Sequence, residues 1–578
     1  MADVPMPERG GRPTAPHAAV RPAEGTGERR ARPAVVTAAR ARLALVAIVL
    51  VGLSYATVIQ SFSWNQTSHY DLIRSLDHGG TNIDAYQANT GDKVYYHGHW
   101  FSARAPGLAL FALPFYKTLN LLDADRLARS SQAQRGDDEM VYFIGLWGNV
   151  LPGLILLLLI WRVAEQFEPG YGAAAAVTVG LGTMVLPLST LLFSHVFTAM
   201  LGFAAFALML RERAGPPRPL LLALAGLAIG YAVASEYPLF FVGAVLGLYL
   251  LSRRDAWTPQ LVLARAGAYI GGGLVGIVPL LLYNHAAFHS WTHLAYSDVP
   301  RQQKGFFGIG APSLKVLSTL LFDSRGLLTI SPVLIMGAVG TALLYRRGRR
   351  AEALTITGIC LCYVGYNSGY YLPFGGGFMG PRFLTTMLPF LGFPLALAFR
   401  RYPGPTIALA GVSITTTVIA AITHPLVGYE TETVTWMRYL GRGFFQPTVA
   451  SAFGLGRGWG AIWPFLLAAG AGAVLAARAL PRLSISGSEL AVGFGALVAW
   501  ALFAALAPTL LGIDHQGLLS IVGAGDKTAL HKGFGDYPLR SLVPVAAVAG
   551  LVALAAMRLT RDTPSRPLRE RPAPVPAR

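Results

Sequence analysis

Charged side chains are scarce in this sequence, 13% of 578 residues, where a soluble protein carries about 25%. The shortage is mostly of acids: 29 Asp and Glu stand against 47 Lys and Arg, a formal net charge of +18. In a soluble chain such an excess would suggest nucleic acid as a partner. Here the arginines fall in short clusters at alternate ends of apolar runs, such as Arg211 with Arg213, Arg253 with Arg254, RRGRR from Arg346 to Arg350, and Arg400 with Arg401. That is the pattern of the positive-inside rule, and it removes nucleic acid as the reason for the charge.

Cysteine is nearly missing too. Cys360 and Cys362 both sit inside an apolar run, and their spacing is neither a redox nor a zinc signature, which reads as buried thiols. No Walker motif, no dinucleotide fingerprint after a strand and no Ser-centred elbow occurs. ATP hydrolysis and the use of soluble nucleotide sugars therefore have no motif behind them.

What the sequence has in quantity is apolar length. Hydrophobic residues make up 53% of it and the mean hydropathy is +0.48. Repeated windows of about 20 residues can each cross a bilayer core of about 30 Å. Counting them gives an all-α polytopic membrane protein of about fourteen transmembrane helices, near residues 43–60, 141–163, 171–188, 194–210, 219–234, 238–252, 264–283, 327–345, 352–367, 383–399, 406–423, 460–480, 489–509 and 541–559. The Pro-, Arg- and Ala-rich residues 1–42 and the tail 561–578 read as disordered basic segments, both cytoplasmic because the count is even. Heavy use of Ala, Gly, Arg and Pro points to a GC-rich, bacterial genome, hence to the inner membrane.

This orientation puts every polar loop of interest on the outer side, while the inner loops are short and basic. The longest outer loop spans 61–140. Within it GLALFALPFYKTLNLL, after Pro106, is too short for a comfortable span and suits an interfacial helix. The spans themselves are almost free of ionisable residues. A transporter or flippase of lipid-linked sugars, the rival class, would place such groups near the bilayer midplane.

The stretch Asn65–Gly107 carries four Asp, four His and an Arg-Ala-Pro-Gly turn. Its segments NQTSHYDLIRSL and HGHWFSARAPG, with GPRFLTTMLPF at Gly380–Phe390 and YNHAAFHSWTHLAY at Tyr283–Tyr296, resemble the GT-C glycosyltransferases. The resemblance is to the bacterial branch that includes lipid A aminoarabinose transferase and the protein mannosyltransferases, and it covers roughly Leu43 to Phe399. On that footing residues 43–400 would form a GT-C-like catalytic module and 401–560 a set of further transmembrane helices. The resemblance implies transfer of a sugar, with inversion, from a polyprenyl-phosphate donor to a cell-envelope glycan, glycolipid or protein acceptor. A carboxylate would take the acceptor's proton, and cationic groups would stabilise the departing phosphate.

The sequence departs from the family where relatives carry an acidic pair after the first span: Asn65 and Gln66 stand there, and neutral amides cannot act as a base. A non-catalytic relative that only binds polyprenyl phosphate is therefore a further reading. If the chain is an enzyme, the base falls to Asp84, Asp92 or Asp71, in that order. Asp84 follows apolar Ile83, Asp92 lies in a Thr-Gly-Asp turn, and Asp71 lies in a helix. Arg104 occupies the family's basic position before Pro and is assigned to the donor phosphate, since a guanidinium offers two parallel donors. Arg382 is a second phosphate candidate, because the glycines before it permit close backbone approach and a lone outer Arg runs against the inside bias. His195 and Glu236, each at an outer helix end, could shape the donor pocket, His195 on the phosphate side. His97, His99, Tyr70 and Asn284 complete the expected substrate pocket. The His-x-His spacing of His97 and His99, read as an alternating extended segment, would suit a divalent ion with Asp92; no structural metal is expected, and a divalent activator stays open.

Overall fold

The apolar windows fold as helices because a backbone in hydrocarbon must satisfy its own hydrogen bonds. The structure, a computed structural model, describes residues 38–122, 138–253, 257–303, 305–323, 325–426, 436–481, 483, 485–510 and 538–559. The expected tail 561–578, most of the expected tail 1–42, and parts of the loops 61–140, 424–459 and 510–540 lie outside the described residues; residues 38–42, expected in that tail, are the first turn of a helix. Helix α1 (Ala38–Tyr55) is followed by α2 (Trp64–Asp77), a hairpin of β1 (Lys93–Tyr96) and β2 (His99–Ser102), and α3 (Gly107–Leu121). Helices and short turns make up the rest.

Each of the fourteen windows overlaps a helix or a broken run of helices, but many of these are short. Six helices among the described residues are long and apolar enough to cross a membrane, or up to eight if each bent pair is one span. Five more apolar helices have 10–17 residues. Pro and Gly account for several of the breaks: the window 383–399 bends by 53° between Arg382–Gly392 and Leu395–Arg401, at Phe393-Pro394. A helix, α3, stands where the interfacial helix was expected, with Pro114 inside it.

Two large apolar cores and a small cluster of Val316, Leu320 and Phe374 form among the described residues. The larger runs through the bundle; the smaller joins Leu72 and Ile73 of α2, Ile83, Phe101 of β2 and Leu108 and Ala112 of α3 to Tyr283 and Phe288 at the end of the helix Pro259–Phe288. The polar loop therefore folds as a packed layer on one end of the bundle. Along Pro259–Phe288 the side chains Leu263, Ile270, Leu274 and Val275 are exposed, an apolar surface that suits lipid. Its other face meets Pro219–Ser235 at glycines. A Cβ on Gly226 or Gly230 would collide with the backbone of Tyr269 or Gly273, and one on Gly272 or Gly276 with that of Ala223 or Leu227. Small residues let the two backbones touch.

At the opposite end from the polar layer, charges are buried in pairs. The helix Ser194–Arg213 has 20 residues, about 30 Å of rise, and separates His195 from this end. There Glu212 accepts from Arg265 Nε and Nη2, at 2.9 Å each, and lies 3.3 Å from Arg253 Nη1. Removing one partner of a buried pair strands the other charge at a cost of about 3–5 kcal/mol. Glu212→Gln is accordingly expected to lower the thermal unfolding midpoint of the purified protein by several degrees, read by intrinsic fluorescence.

Candidate active site

The polar layer closes over a cavity of about 1240 Å³. Its wall is drawn from α2 and the residues before it, from Ala88–Lys93 and Ala103–Arg104, from Tyr296–Gln302, from Tyr370–Phe383, and from His424 and Leu426. Every one of these segments lies in a loop that the sequence placed on one side of the membrane.

The hairpin is what aims the central pair. Its tip is His97-Gly98, with φ of 46° and 95°, and two consecutive positive φ angles make the tight turn whose twist matches the flanking strands. At the other end Lys93 pairs with Ser102. One step further out, the Asp92 carbonyl accepts from Ala103 N–H at 3.0 Å and from the Ser68 hydroxyl of α2 at 2.6 Å. Ser102 Oγ receives the Arg104 N–H at 3.1 Å. Residues 92 and 104 are thus held side by side, and the Arg104 guanidinium forms an ion pair with the Asp92 carboxylate facing the cavity. Burial, the largest single influence, works against the Arg104 charge, but Asp92 together with Tyr296 and Tyr370 raises the guanidinium pKa.

The turn after Arg104 is fixed by packing. Gly107 lies so close to Ser235 and Ala234 that a Cβ would clash, and the Tyr231 hydroxyl donates to the Gly107 carbonyl at 3.0 Å. On the facing wall Arg382 packs on Gly375, a glycine with φ of 74°, where a Cβ would meet the Arg382 side chain. The Arg382 guanidinium lies over the Phe193 ring at 5.0 Å. Arg325 steadies this loop from behind, donating to the Phe378 carbonyl at 2.9 Å.

Among the described residues the cavity wall holds two carboxylates, Asp71 and Asp92, and the cations Arg74, Lys93, Arg104 and Arg382. Asp71 accepts from Arg74 at 2.7 Å and from Asn89 at 3.3 Å. Arg74 is in turn stacked between the rings of Tyr70 and Tyr86. Lys93 donates to Gln87 and sits over the Trp100 ring. Tyr70, Tyr296, Tyr370, Tyr371 and Phe383 supply an aromatic lining, the surface on which apolar faces of sugars and isoprenoids both pack. Tyr296, Tyr370, Tyr371, Arg74, Lys93 and His424 were missed from sequence. The Tyr-Tyr pair before the glycines was the signal within reach for two of them.

Of the sequence-chosen residues, Asp71, Asp92, Arg104, Arg382 and Tyr70 meet at this cavity. Asp84 does not. Ile83 beside it is buried in the smaller core, while Asp84 opens a turn at the surface, where it accepts from His99 Nδ1 and from the Trp100 N–H at 2.6 Å each. Slight burial works to raise its carboxyl pKa, but the His99 and Trp100 hydrogen bonds prevail and lower it. What this carboxylate adds to folding is present above its unfolded pKa, about 4, and is lost as pH falls through the lower folded value. Asp84→Asn is expected to lower the thermal unfolding midpoint slightly at neutral pH and to match wild type in acid, where the carboxylate is protonated in any case, read by intrinsic fluorescence across pH.

His97 and His99 do not share one face of an extended segment: the turn at His97-Gly98 intervenes, His97 stacks on Tyr96 at 4.1 Å, and His99 pairs with Asp84. Neither lines the cavity. Among the described residues no group of three metal-ligating side chains occurs. Asn284 lies apart, its amide donating to Trp291 at 3.4 Å. His195 and Glu236 are buried behind the wall and bonded to each other at 2.8 Å, with Thr198 donating to Glu236 at 2.9 Å. Gln66 has a structural task that a carboxylate could not perform: its Oε1 accepts from the Leu192 N–H at 3.1 Å while its Nε2 donates to the Ser61 carbonyl at 2.9 Å.

Fold and site together define a multi-pass helical membrane protein with a cation-rich, aromatic-lined cavity under a polar layer at one end of the bundle. No protein-family model and no curated protein matches the sequence. Among solved structures the chain is similar to ArnT from Cupriavidus metallidurans bound to undecaprenyl phosphate, with 16% identity, a TM-score of 0.41, and 90% of this chain and 77% of that one covered. It is also similar to the arabinosyltransferase EmbB from Mycobacterium smegmatis, with 14% identity, a TM-score of 0.43, and 92% and 43% covered. A third is the Archaeoglobus fulgidus oligosaccharyltransferase, with 13% identity, a TM-score of 0.37, and 74% and 56% covered. The chain thus spans about half the length of the last two. Two of the three are named as sugar transferases, an arabinosyltransferase and an oligosaccharyltransferase. The likenesses are partial.

Proposed function

We propose that this protein is a glycosyltransferase that moves a sugar from a polyprenyl-phosphate carrier to an envelope glycan, glycolipid or protein. One observation supports the reading above the others: a carboxylate, Asp92, shares a cavity wall with two guanidiniums, Arg104 and Arg382, at one end of an apolar bundle. The carrier's isoprenoid tail lies in the bilayer and its phosphate enters between the arginines. The acceptor arrives from water over Asp92.

The proposed step is a direct displacement. Asp92 takes the proton of the acceptor hydroxyl as its oxygen bonds to the anomeric carbon. The bond from that carbon to the phosphate oxygen breaks on the opposite face, and its electron pair leaves with the phosphate. Arg382 and Arg104 meet the charge that develops there, usually the largest contribution to such catalysis. The product is inverted. Asp71, tied to Arg74 and Asn89, holds the wall of α2 in place. We place the cavity on the outer, periplasmic face of a bacterial inner membrane, both termini inside, because the arginine clusters mark the other end.

A strain lacking the gene should accumulate the unused sugar-loaded carrier, measured by mass spectrometry of extracted lipids. Unchanged carrier pools in that strain, and no sugar transfer by the purified protein from that lipid fraction, would sink the reading.

A further inference from the structure

Arg382 lines the cavity from a seat of two rings. Its guanidinium lies 5.0 Å from the Phe193 ring and 5.6 Å from that of Phe383. A second group touches the same two rings. The His195 imidazole stands at 87° to Phe383 with the centroids 5.6 Å apart, and at 73° to Phe193 with the centroids 6.0 Å apart. The rings are therefore shared between Arg382, which lines the cavity, and His195, which does not.

His195 is itself tied down. Its Nδ1 lies 2.8 Å from Glu236 Oε1, and Glu236 Oε2 accepts from the Thr198 hydroxyl at 2.9 Å. A ring nitrogen facing a carboxylate donates to it whether the ring is neutral or charged. All three residues are buried. Packing alone does not call for Glu236, since an apolar side chain would fill its place without the cost of burying a carboxylate. Its site is the start of the helix Ser194–Arg213, where an anion is favoured.

The helix Pro219–Ser235, which Glu236 follows, also bears on the turn after Arg104. Ala234 and Ser235 abut Gly107, and Tyr231 donates to its carbonyl. One helix end thus touches the supports of both guanidiniums. We propose that Glu236 is a positioning residue for the donor site: through His195 and the rings of Phe193 and Phe383 it fixes where Arg382 stands over the cavity, and so its spacing from Arg104. The proposal rests on the reading of the cavity as an isoprenoid-phosphate site. Glu236 itself touches neither phosphate nor sugar.

A double-mutant cycle separates this from simple packing. Undecaprenyl phosphate, added to the full-length protein in detergent, is the probe, with affinity read from intrinsic tryptophan fluorescence and folding from the thermal midpoint. Glu236→Leu keeps bulk and offers no acceptor; it is expected to bind about tenfold more weakly, within the range for residues coupled in one network. Glu236→Gln still presents an acceptor to the His195 ring and an amide to the Thr198 oxygen, and should stay within about threefold of wild type. In an Arg382→Gln background Glu236→Leu should lose no further affinity, because the group it positions is gone. A loosened fold would instead weaken binding alike in both backgrounds. A leucine variant that binds like wild type, a glutamine variant as weak as it, or equal losses in both backgrounds overturns the proposal and leaves the reading of the cavity standing. Should Glu236→Leu fail to fold, Thr198→Val, which frees one carboxylate oxygen at nearly the same shape, takes its place in the cycle. A loss of about threefold is then expected with Arg382 present and none without it, and equal or absent losses overturn the proposal. If wild type does not bind the probe, or Arg382→Gln binds it as tightly as wild type, the reading of the cavity fails, and this inference with it.

Discussion

Asp92→Asn is expected to reduce sugar transfer by about a thousandfold, within the range for loss of a general base, with little change in the KM for donor. The asparagine keeps the turn that Ala103 and Ser68 bind, because both bonds are to the Asp92 backbone carbonyl. What it loses is the carboxylate that receives the acceptor's proton. Arg104, released from its ion pair, remains beside the phosphate, so donor affinity should hold or rise. A fall confined to kcat marks an interaction made in the transition state. Initial rates over a range of donor concentrations read both parameters. If Asp92→Asn turns over like wild type and Asp71→Asn does not, the base is Asp71.

Arg382→Gln is expected to lower kcat/KM by about a hundred- to a thousandfold, the scale for removing one group that stabilises developing charge. Unlike Asp92→Asn it should also weaken binding of the carrier phosphate, measured directly with undecaprenyl phosphate. The fold should tolerate it. Arg382 packs on Gly375 and the rings of Phe193 and Phe383, and glutamine keeps part of that contact. Arg382→Lys should recover only a part of the loss, since an ammonium is a point charge without the planar fork. Equal affinity for the phosphate in Arg382→Gln and wild type would remove Arg382 from the site.

Sequence alone served best where one rule decided the outcome. Apolar windows located helices, because hydrocarbon length is a local property. The segment after Pro106 read as a short surface helix for the same reason, and α3 occupies Gly107–Leu121. Arg104 and Arg382 were legible as a pair because each follows or precedes residues that bring backbone close, the Pro106-Gly107 turn and the glycines at 375–377. Spans shorter than the windows were not legible. Where a helix breaks, as near Phe393-Pro394, depends on what packs there.

The choice among the aspartates failed to transfer for a reason of geometry. Apolar Ile83 put Asp84 first among the candidates, but Ile83 packs into the smaller core while Asp84 opens a turn, closed by the Tyr86 N–H on the Ile83 carbonyl at 2.9 Å, and stays at the surface. His97 and His99 misled in the reverse manner. Their spacing implied one face, and the turn at Gly98 abolished it. Cavity residues from distant loops, such as Tyr296 and His424, carried no local mark at all, since only the tertiary fold brings them beside α2.

The backbone contact between Pro219–Ser235 and Pro259–Phe288 carries a consequence for how a long isoprenoid could enter. With glycines facing peptide groups on both sides, that seam is narrower than a methylene chain, and no tail can thread through it. A carrier lipid bound for the cavity has to come along another flank of the protein, and a bulky residue put at Gly226 or Gly276 would prise open a door where none exists.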